Sequence, residues 1–302
     1  MNPSDVNTRA AGSIAHANGI DICYQSFGKS TDPPLILIMG LAAQMIVWDD
    51  DFCELLASKG FWVTRFDNRD MGHSTRFPGS PTPSMVDIMT AQFSGKKLEP
   101  VYTLRDCAAD TIGLLDALGI GTANIVGLSM GGMIAQELAI NFPERVRTLT
   151  SIMSSTGDPS LPPATPAAVG VLMRPATTEK EPYVDGYVAA WAVLNGDQLP
   201  FDAERTRATA TLSFERGINP PGVSRQMLAI IASGNRTERL GSVKIPTLVI
   251  HGTNDPLVPN EAGRATARAI GGAKLMLVEG MGHTLPRKVW PEIADAIAHH
   301  AH

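Results

Sequence analysis

Residues 125–133 read IVGLSMGGM. An apolar run ends at Gly127, one serine follows, and Gly131 and Gly132 come directly after Met130. Glycine loses more conformational freedom on folding than any other residue, so three in one short stretch need a reason. A sharp turn from a strand into a helix supplies it. Such a turn forces its central residue, here Ser129, into a strained backbone conformation. The residues two before and two after must be tiny, or they collide with each other and with neighbouring strands. Gly127 and Gly131 meet that requirement. The turn lifts the Ser129 hydroxyl above the carboxyl end of a sheet. It also aims the Met130 N–H at the same space, from a helix start whose dipole favours negative charge. Gly-x-Ser-x-Gly arises often by chance, so the strand before it and the helix after it carry the argument.

Moving outward, short apolar runs alternate with amphipathic ones. IDICYQSFG (20–28) alternates as a strand does, and PLILIMG (34–40) is continuously apolar, as in a strand buried on both faces. A helix is expected over 50–59 and a strand over 61–67. Leu104, Cys107, Ala108, Thr111, Leu115 and Leu118 fall at helical spacing, with Thr103 as N-cap and Gly119 as the stop. ANIVG (123–127) is a buried strand. Residues 130–142 form a helix that is apolar nearly all round and ends at Pro143, and 146–153 form another strand. The alternation predicts an α/β fold: a parallel sheet, right-handed crossovers, helices on both faces.

Near residue 156 the pattern breaks. TGDPSLPPATP is a proline-rich connector, and three helical stretches follow at 181–195, 202–216 and 224–233, each with a glycine after it. The sheet pattern resumes at 245–252, with a helix near 259–270, a strand over 273–280 and a last helix from about 288. Residues 1–156 and 237–302 are therefore read as one core domain. Residues 157–236 are a helical insertion, too long for a passive loop.

Composition narrows the classes. The 302 residues are 44% hydrophobic and 18% charged, a soluble globular mixture. Net charge is −5 and no basic block occurs, which argues against a nucleic-acid partner. No apolar run is long enough for a membrane span. Cys23, Cys53 and Cys107 are odd in number and widely spaced, neither a disulfide framework nor a metal pattern. With no apolar signal segment in residues 1–19, the reading is a cytoplasmic protein with buried, reduced thiols. A homodimer is left open.

A serine needs a base to become a nucleophile. Of seven histidines, His299, His300 and His302 sit in the C-terminal tail and are read as solvated. His16 precedes the sheet, and His251 shapes the turn after a strand. His73, in DNRDMGHS, is a candidate for the pocket rim. His283, in GMGHTLP, follows the last strand at the edge where Ser129 emerges. An acid must orient that imidazole and stabilise its charged form. Asp255, in HGTNDPLVP, follows the preceding strand; Asp158 is the alternative. The order serine, acid, histidine differs from the trypsin-like and subtilisin-like orders. For the oxyanion, Met130 N–H is one donor. The loop MGLAAQ after the strand at 34–38 offers the second, Leu41 N–H beside Gly40. One such donor is worth about 3–4 kcal/mol of transition-state stabilisation.

Together MGLAAQ, RFDNRDMGHS, GLSMGGM, VIHGTNDPLVP and GMGHTLP resemble the α/β-hydrolase superfamily over essentially the whole chain. The resemblance is to its capped serine esterase branch, that of aclacinomycin methylesterase and related mycobacterial lipase/esterase-like hydrolases. It implies an eight-stranded, mostly parallel sheet with a helical cap. It implies a triad of Ser129, His283 and Asp255, and an oxyanion hole from the amides of Leu41 and Met130. Most of the superfamily has His-Gly in the oxyanion loop; here it is Met39-Gly40, which makes that wall less polar and is shared by the methylesterase branch.

The expected activity is hydrolysis of a small to medium, mainly apolar carboxylic ester through an acyl-enzyme, with a methyl ester among the candidates. No metal or cofactor is called for. Met39 and Met130, with Met85 and Met89 as weaker candidates, suggest an adaptable apolar pocket. Carbon–carbon bond hydrolysis and a perhydrolase or haloperoxidase-like activity are rivals on the same triad. A non-catalytic ligand binder on the same scaffold is the rival from another class. Aspartate-nucleophile chemistries are disfavoured because serine stands at 129.

Overall fold

The structure, a computed structural model, describes residues 12–175 and 177–302. The chain opens with β1 (Ser13–Ala17), β2 (Ile20–Phe27), β3 (Pro34–Ile38), α1 (Asp50–Ser58) and β4 (Trp62–Phe66). Then come α2 (Met85–Ser94), α3 (Leu104–Ala117), β5 (Ala123–Leu128), α4 (Met130–Asn141) and β6 (Val146–Ile152). Helices α5 (Pro166–Leu172), α6 (Lys180–Asn195), α7 (Ala203–Glu215), α8 (Pro220–Ser233) and the short α9 (Thr237–Leu240) follow without a strand between them. The chain finishes with β7 (Thr247–Gly252), α10 (Asn260–Ala269), β8 (Lys274–Val278) and α11 (Trp290–Ala301).

The eight strands form one sheet in the order β1-β2-β4-β3-β5-β6-β7-β8. The first two run antiparallel to their neighbours, and β4, β3 and β5 to β8 are parallel. Side-chain alternation explains why the parallel strands read as unbroken apolar runs. In β3, Leu35 and Leu37 join the core on the α1 and α11 side, while Ile36 and Ile38 join the one against α3 and α4. Each fully buried side chain of this kind contributes about 1.5–3 kcal/mol. Helix α3 starts with a reciprocal cap: Thr103 accepts from the Asp106 N–H, and Asp106 accepts from the Thr103 N–H at 2.7 Å. Helix α4 is buried from Met130 to Ala139, as its all-round apolar sequence requires.

Several expectations need correction. His16 lies in β1, an edge strand, with Nδ1 3.1 Å from Asp21 Oδ1. Helix α2 was not foreseen, although Ser84 and Asp87 cap each other as they do at the start of α3. A fourth helix, α5, precedes the three expected after residue 156; Pro166 occupies its first turn and Thr165 caps it, so the proline that read as a breaker is a starter. Helix α8 begins at Pro220, four residues before the expected start, for the same reason. The tail histidines are not all solvated. His300 Nε2 lies 3.2 Å from the carbonyls of Leu149 and Pro246, and the His302 ring stacks on Phe61. The three thiols are buried, and burial pushes Cys23 up to about 11 and Cys53 to about 12. Residues 1–11, part of the segment read for a signal, lie outside the described residues. Among those described, no helix is long and apolar enough to cross a membrane.

Candidate active site

The carboxyl ends of β3, β5, β7 and β8 converge on one point. Ser129 leaves β5 with φ 55° and ψ −118°, a left-handed conformation that a residue with a side chain adopts only under constraint. The constraint is visible at the glycines. A methyl on Gly127 would sit 2.1 Å from the Gly131 carbonyl oxygen, and one on Gly131 would sit 2.1 Å from that of Ile38. The turn is anchored on its far side: Ser129 N–H donates to Ile152 at 2.9 Å, and the Ser154 hydroxyl donates to the Ser129 carbonyl at 2.8 Å.

His283 Nε2 lies 3.0 Å from Ser129 Oγ, and its Nδ1 lies 2.7 Å from Asp255 Oδ2. A carboxylate can only accept, so Nδ1 carries the proton and Nε2 presents a lone pair to the serine hydroxyl. Asp255 is buried, and its other oxygen accepts from the Leu257 and Val258 amides at 2.9 and 2.8 Å. Burial alone would raise this carboxyl; the electrostatic pull of the facing His283 and hydrogen bonds from His251 and His283 outweigh it and hold it well below the usual range. Asp158 instead accepts from Ser160 in its own loop.

The loop after β3 lies against the serine. A methyl on Gly40 would sit 3.2 Å from both Ser129 Cβ and the Leu128 carbonyl oxygen, so this loop packs directly on the serine turn. The next residue, Ala42, has φ 62°, and its N–H donates to Gln226 Oε1 on α8 at 3.1 Å. Gln226 is buried and also donates to the Arg69 carbonyl.

A cavity of about 570 Å³ opens beside His283. Met39, Leu128, Tyr187, Trp191, Phe201 and Trp290 supply its apolar wall. Gly40 and His73 are not among the lining residues; His73 is exposed, with its N–H donated to Asp67 at 3.1 Å. Met130 is buried in the core, and Met85 and Met89 lie away from this cavity.

Sequence reasoning missed two groups. His251 was read as a turn residue. It is fully buried in β7, with Nε2 2.7 Å from the Val258 carbonyl and 3.5 Å from Asp255 Oδ2, so a second imidazole borders the acid. The aromatic stripe of α6, Tyr183, Tyr187 and Trp191 at spacing four, was also missed. Its spacing is that of any half-buried helix face, and nothing in the sequence says it borders a cavity.

The pattern that defines the α/β-hydrolase fold matches residues 33–286. The chain belongs to the α/β-hydrolase family. It is 31% identical over 302 residues to rhodomycin D methylesterase of Streptomyces peucetius, covering 93% of this chain and 95% of the relative. It is 30% identical over 224 residues to 2-hydroxymuconate semialdehyde hydrolase of Pseudomonas putida, covering 73% and 75%. Among solved structures it superposes with TM-score 0.76 on a meta-cleavage product hydrolase of Pseudomonas fluorescens IP01, at 20% identity and 96% and 97% coverage. Similarity to named methylesterases along nearly the whole chain marks it as an enzyme, and the Ser129–His283–Asp255 arrangement is the candidate centre of its chemistry.

Proposed function

We propose that this hydrolase cleaves a carboxylic ester by way of an acyl-serine. The observation that carries the reading is the continuous relay from Asp255 through His283 to Ser129, at 2.7 and 3.0 Å. Ser129 Oγ attacks the ester carbonyl while His283 Nε2 takes its proton. Asp255, held ionised, stabilises the imidazolium that forms. The oxyanion sits between the Leu41 and Met130 amides, where the start of α4 favours negative charge. Collapse expels the alcohol, which takes the proton from His283. A water activated by the same imidazole then attacks the acyl-serine and releases the acid. Residues 157–236 act as the cap of the site, since α6 and α8 border the cavity and the Gly40 loop. The apolar, aromatic cavity suits a small to medium acyl group. Similarity to a methylesterase supports a methyl ester as the substrate class.

Replacing Ser129 with Ala tests this. Turnover of p-nitrophenyl butyrate and labelling by a fluorophosphonate disappear, a loss of about a million-fold in kcat, while the fold is kept. Appreciable residual turnover in the pure variant contradicts the assignment. Replacing His283 with Ala removes the base and lowers kcat by several orders of magnitude, with the fold kept. Wild-type kcat in that variant removes His283 as the base. Carbon–carbon hydrolysis and perhydrolysis share this triad. The similarity to 2-hydroxymuconate semialdehyde hydrolase favours the first as second reading. A wild-type enzyme that turns over a meta-cleavage dienone much faster than any methyl ester in a screen selects it.

A further inference from the structure

The end of α6 does more than wall the cavity. The last carbonyls of a helix have no partner inside it. Here one of them, Leu194, accepts the backbone N–H of His283 at 2.7 Å. One residue on, the side chains repeat the contact: the Thr284 hydroxyl donates to Asn195 Oδ1 at 2.7 Å, with both residues buried. The Asn195 amide is held in turn by donating to the Leu199 carbonyl at 2.9 Å. Close approach is built into the sequence. A methyl on Gly282 would sit 2.3 Å from the Asn195 carbonyl oxygen and 2.5 Å from that of Leu194. The loop bearing the base is thus bolted, backbone and side chain, to the end of a cap helix. The same helix lines the cavity with Tyr187, Trp191 and Asn195, one residue per turn.

We infer that the Asn195–Thr284 pair is a positioning clamp for His283, so that the base is aligned only while the helix that borders the substrate is seated. The inference rests on the reading of His283 as the general base. Its physical basis is that a displacement of about 1 Å at a reacting group costs on the order of a hundredfold in rate. A cap helix that merely covers the site would have no reason to bond both the amide of the base and the residue after it. Thr284 and Asn195 touch no reacting atom; they act through the ring they hold.

The test compares wild type with Thr284→Val, Asn195→Ala, the double variant and Thr284→Ser, all as the full chain. Turnover of p-nitrophenyl butyrate gives kcat and KM, and thermal melting reports the fold. A downfield proton resonance from His283 Nδ1–H, assigned by its loss in His283→Ala, reports the bond to Asp255. The expected result is a kcat lowered 10- to 100-fold by either single change, with KM within about twofold. The double variant falls no further than the worse single one, because both break the same bond. Thr284→Ser restores kcat, and the downfield resonance broadens or moves in the impaired variants. Wild-type kcat in Thr284→Val, or losses that add in the double variant, overturn the clamp. So does a kcat loss that follows the melting temperature and is not recovered by serine. If wild type neither hydrolyses esters nor takes the fluorophosphonate, the ester reading fails. The clamp is then judged by the resonance alone: unchanged in Thr284→Val and Asn195→Ala, it is overturned.

Discussion

Helix α7 ends twice in an arginine paired with aspartate, and the two pairs sit in opposite surroundings. At its start Arg205 reaches Asp49 and Asp51 on the core, with about a third of Arg205 and more than half of Asp51 exposed. Arg287 reaches the same Asp51, and both guanidiniums lie over the Trp290 ring, at 5.5 and 5.1 Å. At its far end Arg216 meets Asp67, both almost fully buried, and also donates to Gln44 Oε1 at 2.8 Å. Next to it, Arg225 of α8 pairs with buried Asp70 at 2.7 Å. Solvent screens the first pair and not the second. One edge of the helical layer between β6 and β7 is therefore fixed by groups that cannot be left unpaired. The other is held by contacts that cost little to rearrange. Asp49, Arg205, Arg287 and Trp290 line the cavity, so the adjustable edge borders it.

The largest effect is expected at the buried end. Arg216→Ala leaves Asp67 charged and buried, and about 3–5 kcal/mol of stability is lost, read as a shift of the urea midpoint. Joint replacement by Asp67→Leu and Arg216→Met returns most of it. A single variant as stable as wild type breaks the comparison. An intermediate effect comes with acid. Burial would raise the Asp70 carboxyl, but bonds from Arg225, Tyr102 and the Phe77 amide outweigh it and hold it below the usual range. Asp255 is lowered likewise. Carboxyls lowered in the folded state stabilise it fully above their unfolded value, about 4, and lose that contribution as pH falls below it. Melting temperature should thus be level near neutrality and drop below about pH 4, with a shallower drop in Asp70→Asn. An equal slope in that variant removes Asp70 as a contributor. The smallest effect belongs to Arg205→Ala: about 0–1 kcal/mol of stability, and a change of a few-fold in KM that fades in about 0.5 M salt. A stability loss as large as that of Arg216→Ala would erase the distinction between the two edges.

What the sequence disclosed follows the same division. The turn at Ser129 is legible because backbone collisions leave no alternative to glycine at 127 and 131. Asp255 and His283 are legible because parallel strands deliver their following residues to one edge, whatever the intervening chain does. The contacts of the helices between β6 and β7 are not. Asn195, Gln226 and Arg216 are ordinary polar residues on amphipathic helices, and their partners, Thr284, Ala42 and Asp67, lie about 90 to 180 residues away. Only docking of the helices brings them together. The helix at 85–94 escaped for a different reason. Its signal, Ser84 followed by Asp87, is local and present, but the flanking prolines at 81 and 83 read as loop.

The position of β8 has an outcome for how the enzyme fails. Among the described residues this strand is bonded to β7 alone, and Lys274 and Leu275 are exposed. Edge strands open more readily than strands bonded on both sides. His283 hangs from this one, whereas Ser129 hangs from β5 in the middle of the sheet. Under mild heating or dilute denaturant, catalysis should die while most of the ellipticity survives, a decay of the working parts ahead of the scaffold.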